Sequence, residues 1–439
     1  MHELQKTAGV VVPLPLPKSR RRIAKIQSER KRVALEQARR APFFRGKLDH
    51  IRADRLDDPE EWARIPILEK DSLRAMTDRQ FYEEFCVRPA DGVCEYWRSG
   101  GATGKPLFYP RSFTDMQYEL LSFARTFGCA GVKRGESAHV SFPLGIHPVG
   151  RVYANCAGPM GIAVNWAGAG TSTPSMAQLE LIRQLKPSVW LGMSSYGLHL
   201  ANMADANGID LASSSVKKIM CSAEPLSEAK RKKLERAWGA RVFDNFGMTE
   251  AGMMAGEDGH GPGLRIFTDM FFIEVVDEKT HAPVKEGEVG TLITTSLWTN
   301  NVTPFLRWSS GDIVVYSEAD DGAGPFSVFP KIRHAHRTTG FFKVRGVNIN
   351  HQEFEDFVFR HLQINDFKCE IVSVNLLDTL RVSIEIKRGA DAGTVARELG
   401  AGIKQTFEVT PDIEVLPTGT LAKEFEASVK APRFADRRQ

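Results

Sequence analysis

Between residue 90 and about residue 250 the chain alternates short apolar runs with helical stretches, and this limits its fold more than any other feature. Residues 138–140, 189–191 and 218–220 read as strands, and 176–184, 196–207 and 227–238 read as helices. Strands and helices in alternation argue for a mostly parallel α/β core. From residue 264 to 316 the pattern changes to β-branched runs at 271–276, 290–295 and 313–316, separated by Gly, Pro, Asp and Asn turns. That reads as a strand-rich region, a small distorted β-barrel. A loop at 321–330 follows, and after about residue 340 a smaller α+β unit begins. It holds a helix at 351–361, strands at 370–374 and 381–387, a helix at 392–405 and a last strand near 413–415, a β-α-β-β-α-β succession of ferredoxin-like size. At the other end, residues 1–17 read as flexible, 19–40 as a helix with Ile23, Ile26, Val33 and Leu35 at helical spacing, and 57–61 as a helix start with Pro and acids in its first turn.

The length of 439 residues exceeds one ordinary core and suits two or three domains. A formal net charge of +4, with basic residues spread along the chain, argues against nucleic acid as a main partner. No stretch of about 20 apolar residues is present, so no membrane span is expected, and the N-terminus lacks a signal-peptide pattern. The six cysteines (Cys86, Cys94, Cys129, Cys156, Cys221 and Cys369) form no CxxC pair or zinc-spaced cluster, which suits reduced thiols in a cytoplasmic protein.

The sharpest local signal is Ser99-Gly100-Gly101-Ala102-Thr103-Gly104-Lys105-Pro106. Glycines let backbone N–H groups approach a phosphate closely, and the lysine adds a point charge. A P-loop would need Gly at 99 and Ser or Thr at 106; Ser99 and Pro106 exclude it. The loop alone is equally compatible with a plain glycine-rich surface turn.

The loop resembles the phosphate loop of the adenylate-forming enzymes, and further segments follow in that superfamily's order. Cys221-Ser222-Ala223-Glu224-Pro225-Leu226 is similar to its Gly-Ala-Glu-Pro loop, and Asp244-Asn245-Phe246-Gly247-Met248-Thr249-Glu250 to its aromatic-Gly-x-Ser/Thr-Glu motif. Arg307-Trp308-Ser309-Ser310-Gly311-Asp312 resembles its ribose motif, and Arg337 with Lys343-Val344-Arg345-Gly346-Val347-Asn348 its hinge region. Ala41-Pro42-Phe43-Phe44-Arg45, Ile65–Leu73 and Leu416–Leu421 with Asp436-Arg437 are similar to the phenylacetate–CoA ligases within that group. The resemblance implies a large N-terminal AMP-binding domain (1–336), a hinge (337–340) and a small mobile C-terminal lid (341–439).

It also implies an ATP-dependent acid–CoA ligase that forms an acyl-adenylate and then a thioester, with ATP, Mg²⁺ and coenzyme A. Ser99, Gly101, Thr103, Gly104 and Lys105 would hold phosphates, and Thr249 would touch the α-phosphate. Glu250 would hold Mg²⁺. Ala223, Glu224 and Pro225 would line the adenine with Phe246 on its face, and Asp244, Asn245, Gly247 and Met248 would also bind the nucleotide. Asp312 would bind the ribose hydroxyls and Arg337 the ribose or phosphate. Lys430, in Lys430-Ala431-Pro432-Arg433-Phe434, would be the adenylation lysine, with Lys423 its rival, and Arg345-Gly346 would reach the CoA channel.

The chain departs from the superfamily pattern at Gly100 and Ala102, which replace hydroxyls, and at His336, Thr339-Gly340, Phe246 and Val429. The expected acyl-pocket walls include Ser141, His147, Tyr153, Trp166, Ala167, Gly168, Ser194 and Tyr196. Hydroxyls and a histidine among aromatics suit an aryl acid first and a small 2-hydroxy acid second. Alternatives are an enzyme passing the acyl group to an amine or carrier protein, and a non-catalytic nucleotide sensor. By resemblance, a homodimer is expected.

Overall fold

The computed structural model describes residues 14–98, 107–318, 322, 324–337, 341–344, 347–374, 377–426 and 433–438. The loop residues Ser99, Gly101, Thr103, Gly104 and Lys105, hinge positions 338–340, Arg345, Gly346 and Lys430 lie outside the described residues. The chain divides into two compact units. One comprises Met1–Gly135, Gly145–Ala163 and Phe243–Thr338, the other Glu136–Leu144, Val164–Val242 and Thr339–Gln439. The expected 1–336 domain contributes to both, and the last change of unit falls at 338/339.

The first unit is built on an antiparallel run of strands: Phe271–Val276, Val289–Ser296, Trp308–Ser317, Lys331–Arg337, Leu264–Ile266, Gly252–Gly256 and Arg241–Met248, each paired with the next. Register breaks at Thr291/Ile293, Ile313/Val314 and Phe246/Gly247 bend this region, as bulges do. The helix Arg20–Arg40 begins where Ser19 accepts the Arg22 N–H, and it buries Ile23, Ile26, Ala34, Leu35 and Ala38 along one face. Leu14 packs into the same core as Ile23, Phe246, Ile266 and Phe329, so the expected flexible N-terminal stretch is anchored by its residue 14. The apolar side chain withdraws from water at Leu14 even though residues 14–17 carry no regular structure. The helix Phe113–Cys129 starts with a reciprocal capping box between Ser112 and Asp115.

The second unit contains the parallel strands Lys218–Cys221, Val189–Gly192 and Ser137–Val140, in that order. Helices Ser175–Leu185, Ser194–Ala206 and Glu228–Trp238 follow the expected alternation. Trp190 and Trp238 are fully buried with ring centroids 5.2 Å apart, and Trp238 donates to the Gly197 carbonyl at 3.0 Å. A Cβ at Gly192 would stand 2.3 Å from the Trp190 ring, so glycine is what lets this indole lie flat on its own strand.

The C-terminal part of this unit corrects the ferredoxin-like expectation. Its sheet runs Pro411–Leu416, Leu377–Ile386, Ile364–Val374 and Phe434–Asp436, with helices His351–Arg360 and Ala392–Phe407. Phe341–Val344 pairs with Val347–Asn350 in a separate hairpin, and the edge of the sheet is taken by the terminal strand, parallel to Ile364–Val374.

Candidate functional site

In the first unit the motif at 244–250 ends a strand and forms the tip of a tight hairpin, Met248 opposite Gly252. A Cβ at Gly247 would stand 2.5 Å from the Gly252 carbonyl, so the two strands meet this closely only with glycine there. The tip is held from below by Arg111, which is fully buried. Its guanidinium donates to the carbonyls of Thr249 at 2.5 Å and Glu250 at 2.9 Å, and to Thr303 Oγ1 at 2.7 Å. Thr249 is left half-buried at the turn.

The Glu250 carboxyl is buried, with Tyr109 donating to it at 3.3 Å. Burial raises its pKa above the ordinary carboxylate value, against weaker opposition from the Lys70 and Arg111 charges. A carboxylate in this setting gains from a cation. Mg²⁺ takes one or two carboxylates plus substrate phosphates rather than an all-protein cage. The single carboxylate of Glu250 fits that donor set, and among the described residues no group of three or more His, Cys, Asp or Glu side chains forms a cage.

A second buried carboxyl, Glu119, lies 3.4 Å from the Arg111 Nε. Burial pushes it up to about 8, outweighing the opposing Arg111 charge. Among the described residues its oxygens accept no hydrogen bond. Gly252, at φ +99°, makes room for it: a Cβ there would fall 1.8 Å from Glu119 Oε2.

Asp312 is buried and accepts a 2.5 Å hydrogen bond from Ser310, opposite Arg337 in the antiparallel register. Phe246 is buried in the core, edge-on to His334 at 4.5 Å. Asn245 is buried, and the Asp244 N–H donates to Glu257 at 2.8 Å. Arg307, from the same motif as Asp312, is a structural clamp. It makes two hydrogen bonds to Glu274, at 2.8 and 3.0 Å, and donates to the carbonyls of Ala63 and Ile65. Among the expected acyl-pocket residues of this unit, His147 precedes the helix Pro148–Ala157 at its N-cap position without a side-chain capping bond, and Tyr153 is fully buried, edge-on to Phe123 and Phe127.

In the second unit Ala223 is exposed and holds a left-handed backbone, φ +72°, rare for a residue with a Cβ. Pro225 is also exposed. The neighbouring Glu224 accepts from Ser194 Oγ at 2.5 Å, from Ser195 Oγ at 2.8 Å and from the Ser195 N–H. It therefore caps the helix Ser194–Ala206, whose own preceding residue, Met193, offers no capping side chain. Burial acts to raise the Glu224 carboxyl, but the Lys230 charge and the serine donors outweigh it and hold it below the usual value.

Ser141, Ala167 and Ser194 are buried, Gly168 takes φ +77°, Tyr196 is half-buried, and Trp166 is 49% exposed. Three of them, Ser141, Gly168 and Tyr196, are joined by a residue that lies outside every sequence motif. Gln178, fully buried, accepts from Ser141 Oγ and donates to Tyr196 Oη. A usable signal existed. Ser175, Gln178, Leu179 and Ile182 fall at the i, i+3, i+4, i+7 positions of one buried helix face, two of them polar. The same signal marks Asp115, Glu119, Ser122 and Thr126, all buried, on Phe113–Cys129. Lys423 is exposed on the helix Thr420–Glu426.

A family model described as AMP-binding enzyme matches residues 96–299. A phenylacetate–coenzyme A ligase of Pseudomonas putida is 27% identical over 412 residues, covering 90% of this chain and 91% of that protein. One from Thermus thermophilus is 29% identical, covering 75% of this chain and 74% of the relative. Among solved structures, 2-hydroxyisobutyryl-CoA ligase in the postadenylation state, in complex with 2-HIB-AMP, shares the fold with a TM-score of 0.80 at 22% identity, covering 96% of this chain and 94% of that one. The chain is therefore similar to the AMP-binding, adenylate-forming enzymes and is phenylacetate–coenzyme A ligase-like.

Proposed function

We propose that this protein is an ATP-dependent carboxylic acid–CoA ligase of the AMP-forming kind. The acid's carboxylate oxygen attacks the α-phosphorus of ATP, giving an acyl-adenylate and releasing pyrophosphate. The thiol of coenzyme A then attacks the acyl carbon, giving a thioester and releasing AMP. The observation that carries the reading is the similarity to phenylacetate–CoA ligases along nine-tenths of the chain. The substrate is an aryl acid, with a small 2-hydroxy acid second; the fold shared with 2-hydroxyisobutyryl-CoA ligase supports keeping the second choice.

The residue roles follow the chemistry of two anions brought together, which needs charge neutralised where it develops. Glu250 would hold Mg²⁺, whose role is to neutralise phosphate charge. Thr249, at the hairpin tip, would donate to the α-phosphate, while Arg111 fixes the tip's backbone. Asp312 would accept from both ribose hydroxyls. Ala223 and Pro225 would lie along the adenine, with Glu224 shaping their loop rather than touching the base. The phosphate loop ending in Lys105 and the point charge of Lys430 complete the set. Arg345 and Gly346, in a lid of residues 341–439 turning on 337–340, would serve the thioester step.

The proposal includes a cytoplasmic location and a homodimer. Among the described residues no helix is long and apolar enough to cross a membrane, and the cysteines are unbridged. The test is pyrophosphate release from MgATP over a panel of aryl, 2-hydroxy and short aliphatic acids, with and without coenzyme A. Release that depends on one acid and is accelerated by coenzyme A, with an acyl-CoA product, is expected. Acid-dependent release indifferent to coenzyme A would move the acceptor to an amine or carrier protein. No release with any acid would overturn the enzyme reading.

A further inference from the structure

Gln178 lies on the helix Ser175–Leu185, outside every motif that the family resemblance assigns, and none of its surface reaches solvent. Its amide oxygen accepts from Ser141 Oγ at 2.7 Å and meets His139 Nε2 at 3.2 Å. Its amide nitrogen shares two hydrogens among three acceptors, the carbonyls of Gly168 at 2.9 Å and Thr173 at 3.0 Å and Tyr196 Oη at 2.9 Å. One planar group thus ties together the end of a parallel strand, the 167–173 loop and the first turn of another helix. Thr173 extends the tie, donating from Oγ1 to the Ala167 carbonyl at 2.7 Å.

The proton assignment in this cluster is self-consistent. Asn165 donates to His139 Nδ1 at 2.9 Å, which puts the ring proton on Nε2, aimed at the Gln178 oxygen. Burial lowers the His139 pKa to about 4, so the ring stays neutral and acts as a fixed strut. The bracket needs an acceptor and two donors on one side chain at this reach, and only glutamine supplies them. A carboxylate would face two carbonyl oxygens, and a hydrocarbon would leave them buried without a donor.

From this geometry we infer that Gln178 is the positioning residue of the acyl pocket, setting the spacing between Ser141, Gly168 and Tyr196 and so the choice of acid. The inference rests on the ligase reading, because that reading makes these residues the pocket walls. Gln178 touches no reacting atom; it acts through the walls it joins. Its loss therefore falls on the acid and spares the nucleotide.

The test compares Gln178→Leu and Gln178→Glu with the unaltered enzyme, at a temperature well below the variants' Tm, measuring acid-dependent pyrophosphate release. The expected result is a loss of up to about 100-fold in kcat/KM for the preferred acid, of the size that displacing a substrate by an ångström produces, with KM for MgATP within about twofold. The ranking of acids in the panel shifts with it. Equal losses for acid and MgATP, or a lowered Tm with both KM values unchanged, would overturn the inference. If neither variant folds, Thr173→Val removes only the tie to Ala167 and should raise KM for the acid without changing KM for MgATP; no change there overturns it. Amide hydrogen exchange over 165–173 separates this inference from the reading beneath it. If the unaltered protein releases no pyrophosphate with any acid, the ligase reading fails, and with it the pocket role of Gln178. Faster exchange in Gln178→Leu would then leave a structural bracket alone.

Discussion

Glu250 and Glu224 belong to neighbouring motifs and are the same residue type, yet the structure treats them in opposite ways. Glu224 takes hydrogen bonds from two serine hydroxyls and a helix N-terminal N–H, and its carboxyl is held below the usual range. Glu250 is buried with Tyr109 as its hydrogen-bond donor, and its carboxyl is pushed up. A charge whose partners are all supplied by the fold is a structural element. A charge buried with little compensation gains most from a ligand that brings the opposite sign. The cations divide the same way: Arg433 is buried and paired with Asp366 at 3.0 Å and Glu355 at 3.9 Å, whereas Lys430 is proposed as a mobile point charge.

The largest effect that would sharpen this contrast is expected from Lys430→Ala. Adenylation should fall to background, while thioester formation from a supplied acyl-adenylate continues and Tm is unchanged. Adenylation at the normal rate would pass the role to Lys423. Next, Glu250→Gln should lower kcat/KM for MgATP by about 100-fold, the loss typical of removing one charge-stabilising group, without lowering Tm. A fall in Tm with activity intact would erase the distinction from Glu224.

Arg433→Met leaves Asp366 buried without its cation and should cost about 3–5 kcal/mol in urea unfolding, the usual result of breaking a buried ion pair from one side. A cost near zero would show that the pair is not structural. Glu119 provides a pH test. Folding lifts its pKa from 4.5 to about 8, so between those values the folded protein keeps a proton that the unfolded chain has lost, and stability falls as pH rises through the window. Glu119→Gln should flatten the Tm profile between pH 5 and 8; an unaltered slope would place the titration elsewhere. The smallest effect is expected from Glu224→Gln, a loss of about 1 kcal/mol through a weaker helix cap, seen as a lower Tm at pH 7 with little dependence on Mg²⁺.

Much of the fold was legible because it depends on local pattern. Strand and helix positions in the parallel region, the helix expected over 19–40 and the strand-rich region all follow from residue spacing over a few neighbours. The C-terminal sheet departs from the ferredoxin-like order at one edge. Both Phe341–Val344 and Phe434–Asp436 are short apolar-containing runs, and the choice between them for the sheet edge is made by contacts far apart in sequence.

The candidate site divides along the same line. By itself the sequence determined which chemistry-bearing residues exist and in what order, because glycine, threonine, glutamate and aspartate at fixed spacing follow from what a nucleotide's phosphates and ribose demand of a backbone. Only the tertiary structure decided that Glu224 caps a helix, that Arg111 braces the Glu250 turn, that Tyr153 is core, and that Gln178 joins three segments. Burial and hydrogen-bond partnership arise between residues tens to well over a hundred positions apart, and they fix whether a polar group is satisfied by the fold or held for a ligand.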